Sequence, residues 1–291
     1  MKLPSWVEAL VARVTRWGPV DLTRRVVTRF GDAGGGLLAG GLTYSALFAL
    51  LPALLLMTVV LGFLVDDAER RQAIVQSIGE SLPPLRGLLS ASVEQLIEGA
   101  AGAGTLGLIG LAWGASRFYG SLDEAFGRIF THGPKRSFLT QTLRGMLSII
   151  LLISVFLGAL VLTGITSFLA EQTAGRLVGE TRTFWAIVTP LMTLGLFVGA
   201  MAIIYRVVPG RHVPWASLML PSVLVGVGLT LLTQLFSYIA PRLIGSAAVY
   251  GTFVAVFAAM VWLSTGFQVM LLGAAWIRER IGPPPPPFVD G

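Results

Sequence analysis

GGLTYSALFALLPALLL, residues 40–56, is the stretch that decides how the chain is read. It is apolar enough to lie in a bilayer, where a crossing takes about 20 mostly apolar residues. Yet it holds Thr43, Tyr44 and Ser45 side by side, and Pro52 near its middle. Pro52 has no N–H, so the carbonyl of Phe48 loses its helical donor and a kink is expected. In a bilayer that carbonyl needs a partner from a neighbouring helix, a hydroxyl or water. Tyr44 and Phe48 lie one turn apart on the face that approaches Pro52, and Ser45 lies near the same stripe. The Ser45 hydroxyl is better placed to bond back to the carbonyl of Gly41 or Leu42 than forward to Phe48. The partner for Phe48 should therefore come from another helix. Two readings fit the run: a packed proline kink with a buried tyrosine, or part of a working site.

Composition extends the membrane reading to the whole chain. Of 291 residues, 54% are hydrophobic and 12% charged, against about a quarter charged in a soluble domain. Six apolar segments are long enough to cross: 37–65, 104–122, 142–170, 183–208, 215–240 and 248–277. The fourth and fifth are joined only by Val208-Pro209-Gly210-Arg211-His212-Val213-Pro214, which forces them antiparallel. The expected fold is all-α, a six-helix transmembrane bundle with interfacial amphipathic helices. Of the 21 Lys and Arg, fourteen then fall on the side of the two termini, six on the other side and Arg117 within a span. Excess Lys and Arg mark the cytoplasmic side, so both termini are expected in the cytoplasm of a multi-pass inner-membrane protein. The net charge of +6 is mostly accounted for in this way, without nucleic acid. The chain has no cysteine, which excludes disulfides, thiol catalysis and Cys-ligated metal.

Three regions flank the spans. Residues 1–35 form a basic cytoplasmic segment. Within it Trp6, Val7, Leu10, Val11, Val14 and Trp17 share one helical face, with Arg13 and Arg16 off it. Either this helix lies on the inner leaflet or it packs on cytoplasmic loops. Residues 36–280 form the transmembrane domain, with an external amphipathic region at about 66–103. Residues 281–291 form a Pro-rich tail, stiff and extended over Pro283 to Pro287.

Polar groups inside the spans are the candidate site. Arg117 is the only ionisable residue well within one, where a charge costs a few kcal/mol or more unless it snorkels or faces a polar interior. It therefore either contacts an anion or lipid phosphate in a cavity, or snorkels to the inner interface. Thr230, Thr233 and Gln234 share one face of the fifth span, and Ser264, Thr265 and Gln268 one face of the sixth. Such stripes join helices by hydrogen bonds or line a cavity. Gly36 and Gly40, and Gly110 and Gly114, have the GxxxG spacing of close helix contacts. No catalytic residue and no cofactor is expected. His132 and His212 sit in separate loops without metal-ligand spacing, and no Gly-rich phosphate loop precedes a Lys-Ser/Thr pair. Asp66, Asp67 and Glu69 read as a solvated helix end in preference to a weak divalent-ion site, so no metal site is expected either.

Three stretches resemble the YihY/BrkB family of six-span bacterial inner-membrane proteins. They are Leu42-Thr43-Tyr44-Ser45-Ala46-Leu47-Phe48-Ala49-Leu50-Leu51-Pro52, then Leu111-Ala112-Trp113-Gly114-Ala115-Ser116-Arg117 with Leu122 and Ala125, and Ala248-Val249-Tyr250-Gly251-Thr252-Phe253 running through Trp262 to Leu271-Leu272-Gly273-Ala274. The likeness covers about residues 25–280. Members have been labelled ribonuclease BN, widely regarded as mistaken, and virulence factor for serum resistance, and envelope or lipid-related transport has been suggested for them. This chain departs from the family pattern at Ser45, Ala49 and Ala275, where members often carry Tyr, Ser and an acidic residue. The resemblance and the polar groups together imply a transporter or lipid-translocating protein. Its substrate-binding cavity is expected to be lined by Tyr44, Ser45, Arg117, Gln234, Tyr250 and Gln268, with Pro52 as the kink. Expected partners are membrane lipids and a lipid or anionic small-molecule substrate, with no nucleic acid; the sequence leaves the oligomeric state open, a homodimer being one option. The rival is a membrane scaffold whose polar groups only pack helices, and the least favoured reading is a membrane ribonuclease.

Overall fold

The computed structural model describes residues 18–64, 100–130, 180–209, 213–246 and 251–282. Among these residues all regular structure is helical: α1 (Gly18–Asp32), α2 (Gly35–Leu64), α3 (Ala100–Phe130), α4 (Glu180–Val207), α5 (Trp215–Ser246) and α6 (Gly251–Ile281). Helices α2 to α6 are 28 to 32 residues long, or about 42–48 Å at 1.5 Å per residue. That exceeds a hydrocarbon core of about 30 Å. Among the described residues α5 over Trp215–Ile239 and α6 over Val256–Ile281 are by length and composition each able to cross a membrane, and Val20–Asp32 with Gly35–Leu50, bent by 61°, makes a third if the two are taken as one span. Five of the six expected crossings coincide with α2 to α6. The third, 142–170, lies outside the described residues, as do the expected interfacial helix up to Trp17, residues 66–99 of the external region, and the tail from Pro283.

The basic segment contains a helix that the sequence reading did not separate. In α1, Leu22, Val26 and Phe30 recur every fourth residue and turn one face toward the core, with Val26 buried. Arg25 and Arg29 reach from this helix to Glu279 near the end of α6. The chain then bends by 61° between α1 and α2. Gly34 makes the bend in the left-handed region at φ 70°, which costs glycine little. Gly35 lies under the Phe30 ring, where a Cβ would come within 2.2 Å of a ring carbon.

Helix α6 is central: it packs on α1, α2, α3 and α5, while α2 pairs with α3 and α4 with α5. The α2–α3 pair is antiparallel, since Gly110 faces Pro52, Gly114 faces Phe48 and Ser121 faces Ser45. The α4–α5 pair is antiparallel too, as the short connection requires. Gly226 admits Val198 to the helix backbone, and the Arg206 guanidinium donates to the Val213 carbonyl and lies over the Trp215 ring at 5.5 Å.

Among the residues whose side chains are described, the buried core lies at one end of the bundle. It takes Val26 from α1, Ala39 and Leu42 from the start of α2, Phe126 and Ile129 from the end of α3, and Tyr205 from the end of α4. Leu218 comes from the start of α5, and Leu271 and Ile277 from the end of α6. This is also the end that carries Arg24, Arg25, Arg29, Arg128 and Glu279. Toward the other end Ile109, Trp113, Leu231, Leu235, Phe257 and Val261 are exposed, as apolar side chains facing lipid would be. Gly282 at φ 77° ends α6, and the Arg278 guanidinium donates to its carbonyl, a left-handed helix termination of the usual kind.

Candidate functional site

The site is built on the seam between α2 and α3, and Pro52 is the reason the seam is so close. A Cβ at Gly110 would lie 2.9 Å from Pro52 Cγ. A Cβ at Gly114 would lie 2.6 Å from the Phe48 carbonyl oxygen and 2.7 Å from Ala49 Cα. The oxygen that loses its helical donor to Pro52 thus rests against the backbone of α3, at a position only glycine can occupy. What another helix sets against this carbonyl is Gly114, as a packing neighbour. Its GxxxG mate Gly110 takes part in the same contact, whereas a Cβ at Gly36 or Gly40 would meet nothing within 4 Å. Among the described residues one GxxxG pair therefore packs helices and the other meets no neighbour. Inside α2, Pro52 is accommodated without breaking the helix, which runs on to Leu64.

One side of the seam is polar and closed. Ser45 is buried and its hydroxyl pairs with that of Ser121 in α3 at 2.7 Å. The backward bond expected for Ser45 is instead made by Thr43, whose hydroxyl donates to the Ala39 carbonyl at 2.7 Å. The other side is aromatic and open. Tyr44 and Phe48 stack one turn apart with ring centroids 4.7 Å from each other, and Phe48 meets Trp113 edge-on at 6.0 Å. The Arg117 guanidinium lies 5.9 Å from the centre of the Trp113 ring, within cation–π range. Tyr44 is 60% exposed, Phe48 40% and Trp113 56%, and Arg117 is exposed as well. The tyrosine is not a buried companion of the proline kink. It belongs to a continuous line, Tyr44–Phe48–Trp113–Arg117, presented on the surface of two apolar helices.

The remaining expected site residues lie elsewhere. Gln234 is exposed on α5, on the side that also exposes Leu231, Leu235 and Tyr238. Gln268 is exposed on α6 and its amide donates to the Ser264 hydroxyl at 3.4 Å. Tyr250 lies outside the described residues, as do His132 and His212. The threonines of the two polar stripes bond within their own helices: Thr230 to the Gly226 carbonyl, Thr233 to Leu229 and Thr265 to Val261. Tyr44, Ser45 and Arg117 are thus brought together at one seam, and Gln234 and Gln268 do not join them.

Two residues that matter to the architecture were not singled out from the sequence. Ser121, the partner of Ser45, stands between Gly120 and Leu122, where nothing along the chain marks it. Tyr205 is fully buried. Its hydroxyl donates to the Met270 carbonyl at 2.7 Å, in a slot left by Gly273, where a Cβ would lie 2.3 Å from the tyrosine oxygen. Phe126 flanks the same ring at 6.1 Å. This cluster closes the basic end of the bundle.

The family model described as Virulence factor BrkB matches residues 26–281, which takes in every helix that forms the seam and the core. The chain belongs to the BrkB family. Among curated BrkB relatives, a UPF0761 membrane protein of Chromohalobacter salexigens is 30% identical over 91% of this chain and 65% of its own length. Others of the same name from Nitrosospira multiformis and Rhodospirillum rubrum are 28% and 27% identical, over 94% and 83% of this chain and 64% and 54% of their own. The chain thus spans between about half and two thirds of the length of these BrkB relatives. No solved structure matches it. The BrkB membership makes the chain an integral membrane protein.

Proposed function

We propose that this BrkB-family protein moves an amphiphile with an anionic head, a lipid in the first instance, across the inner membrane, without catalytic chemistry and without a cofactor. The observation that carries the reading is the line Tyr44–Phe48–Trp113–Arg117. Arg117 lies eleven residues before Arg128 in α3, about 16 Å along the helix from the charged end. A guanidinium at that depth is costly unless an anion or polar groups meet it. Here it is set beside an exposed aromatic strip that suits an acyl chain, so the seam offers a cation for the head and rings for the tail. In this reading the basic end faces the cytoplasm.

The test is transbilayer movement of head-labelled phosphatidylglycerol in vesicles containing the full purified chain. The expected outcome is faster movement than in empty vesicles, with most of the gain lost in Arg117→Ala and Tyr44→Ala. A rate unchanged by both substitutions removes the seam from the pathway. The rival reading, a scaffold that carries nothing, is favoured by a separate observation: the hydroxyls of Thr230, Thr233 and Thr265 are satisfied by their own helices. Wild-type vesicles no faster than empty ones would establish that reading.

A further inference from the structure

The charged end of the bundle holds a second feature, separate from the seam and independent of any translocation. A cleft of about 650 Å³ opens between α1, α3 and α6, lined by Asp21, Arg24, Arg25, Thr28, Arg29, Asp32, Ala33, Arg128 and Glu279. Asp32 is the last charge before α2, which carries none from Gly35 to Leu64. Arg128 and Glu279 lie in the last turns of α3 and α6. The cleft therefore sits at the level where the charged parts of three helices give way to apolar ones, which is where lipid headgroups lie.

Its charges are unequally engaged. Glu279 draws in both Arg25, at 3.9 Å, and Arg29, and Arg25 also lies 3.4 Å from Asp21. These contacts neutralise most of the α1–α6 side and hold the two guanidinium groups in place. Arg128 pairs at 2.6 Å with Glu124, which is not part of the lining. Among the described residues Arg24 has no ion-pair partner. Four guanidinium groups thus face three carboxylates in the lining, and Arg24 and Arg128 are the two not spent on a lining carboxylate. Guanidinium forks match phosphate oxygens in shape and charge, and basic pockets between membrane helices suit anionic headgroups.

We infer that this cleft binds the phosphate of an anionic lipid from the adjoining leaflet, with Arg24 and Arg128 as its contacts and Glu279 as the residue that positions Arg25 and Arg29 behind them. The test is the thermal stability of the full chain in a neutral detergent, with short-chain phosphatidylglycerol, phosphatidylcholine of the same chains, or inorganic phosphate added. Phosphatidylglycerol is expected to raise Tm by about 5 °C at saturation, as a ligand bound only by the folded state does, and the other two to raise it little. Arg24→Gln with Arg128→Gln is expected to abolish the shift, as Arg24→Gln alone is to reduce it, and Arg242→Gln, the loss of one charge near the far end of α5, to leave it. Both arginines are exposed, so the fold should survive their loss. Should the double variant lack a cooperative transition of its own, Arg24→Gln alone serves. An equal shift with inorganic phosphate would overturn the lipid as the source. A shift retained in the double variant, lost in Arg242→Gln, or absent in wild type would overturn the site.

Discussion

Gly114 is the residue on which the seam depends, because its missing side chain is where Phe48 and Ala49 of the neighbouring helix sit. Gly114→Ala forces a methyl to within 2.6 Å of a backbone oxygen that cannot rotate away. A loss of about 1–3 kcal/mol is expected from such overpacking, seen as a lower Tm of the purified protein in detergent. Gly40→Ala, in the other GxxxG pair, meets open space and should be neutral or gain up to about 1 kcal/mol from helix propensity. Equal losses at the two positions would contradict the packing described. For Ser45 and Ser121, a double-mutant cycle to alanine should return a coupling of about 0.6 kcal/mol, the average for hydrogen bonds between membrane helices. The unpaired Phe48 carbonyl was legible in the sequence, since a proline removes a donor wherever it stands. The glycine packed against it was not, because nothing along the chain says which of 35 glycines lies opposite.

At the scale of the element, α1 shows how a charged helix is fastened to an apolar bundle. Its Leu22–Val26–Phe30 stripe packs on the core, and the flanking face gives Arg25 and Arg29 to Glu279. Arg29→Glu should weaken that attachment by about 1–2 kcal/mol, and so should Glu279→Arg. The pair of changes together should recover part of the loss, because the ion pair is re-formed with its signs exchanged. Hydrogen exchange of the α1 amides is the appropriate readout, since it reports local opening. A double variant as exposed as the sum of the singles would show that the arginines do not act through Glu279. This helix was hidden in the sequence by its own arginines, which drew residues 18–32 into a general basic segment. The period-four apolar stripe was the signal that marked it. The bend at Gly34 could not be read, because glycine permits a left-handed turn without requiring one.

For the whole molecule, the uneven distribution of Lys and Arg makes a prediction that the absence of cysteine renders simple to check. Ser5→Cys and Asp290→Cys each introduce the chain's one thiol. A membrane-impermeant maleimide should leave both unlabelled in intact spheroplasts and react with both after permeabilisation, while Glu69→Cys should label at once. Labelling of either terminus in intact spheroplasts would reverse the orientation. By itself the sequence determined that the chain is a helical membrane protein, where five of its long helices run, and that Tyr44, Ser45, Pro52 and Arg117 belong to residues out of keeping with their surroundings. Those properties follow from composition, from the reach of an apolar run and from the missing N–H of proline, all local to the chain. The tertiary structure alone decided that, among the described helices, α6 packs on α1, α2, α3 and α5, that the described core lies at the arginine-rich end, and that Tyr44 and Arg117 fall on one seam while Gln234 and Gln268 stand apart. Uniformly apolar helices carry almost no facial pattern to say which sides meet. Their pairing is set by where small residues let backbones approach, and that matching exists only between helices.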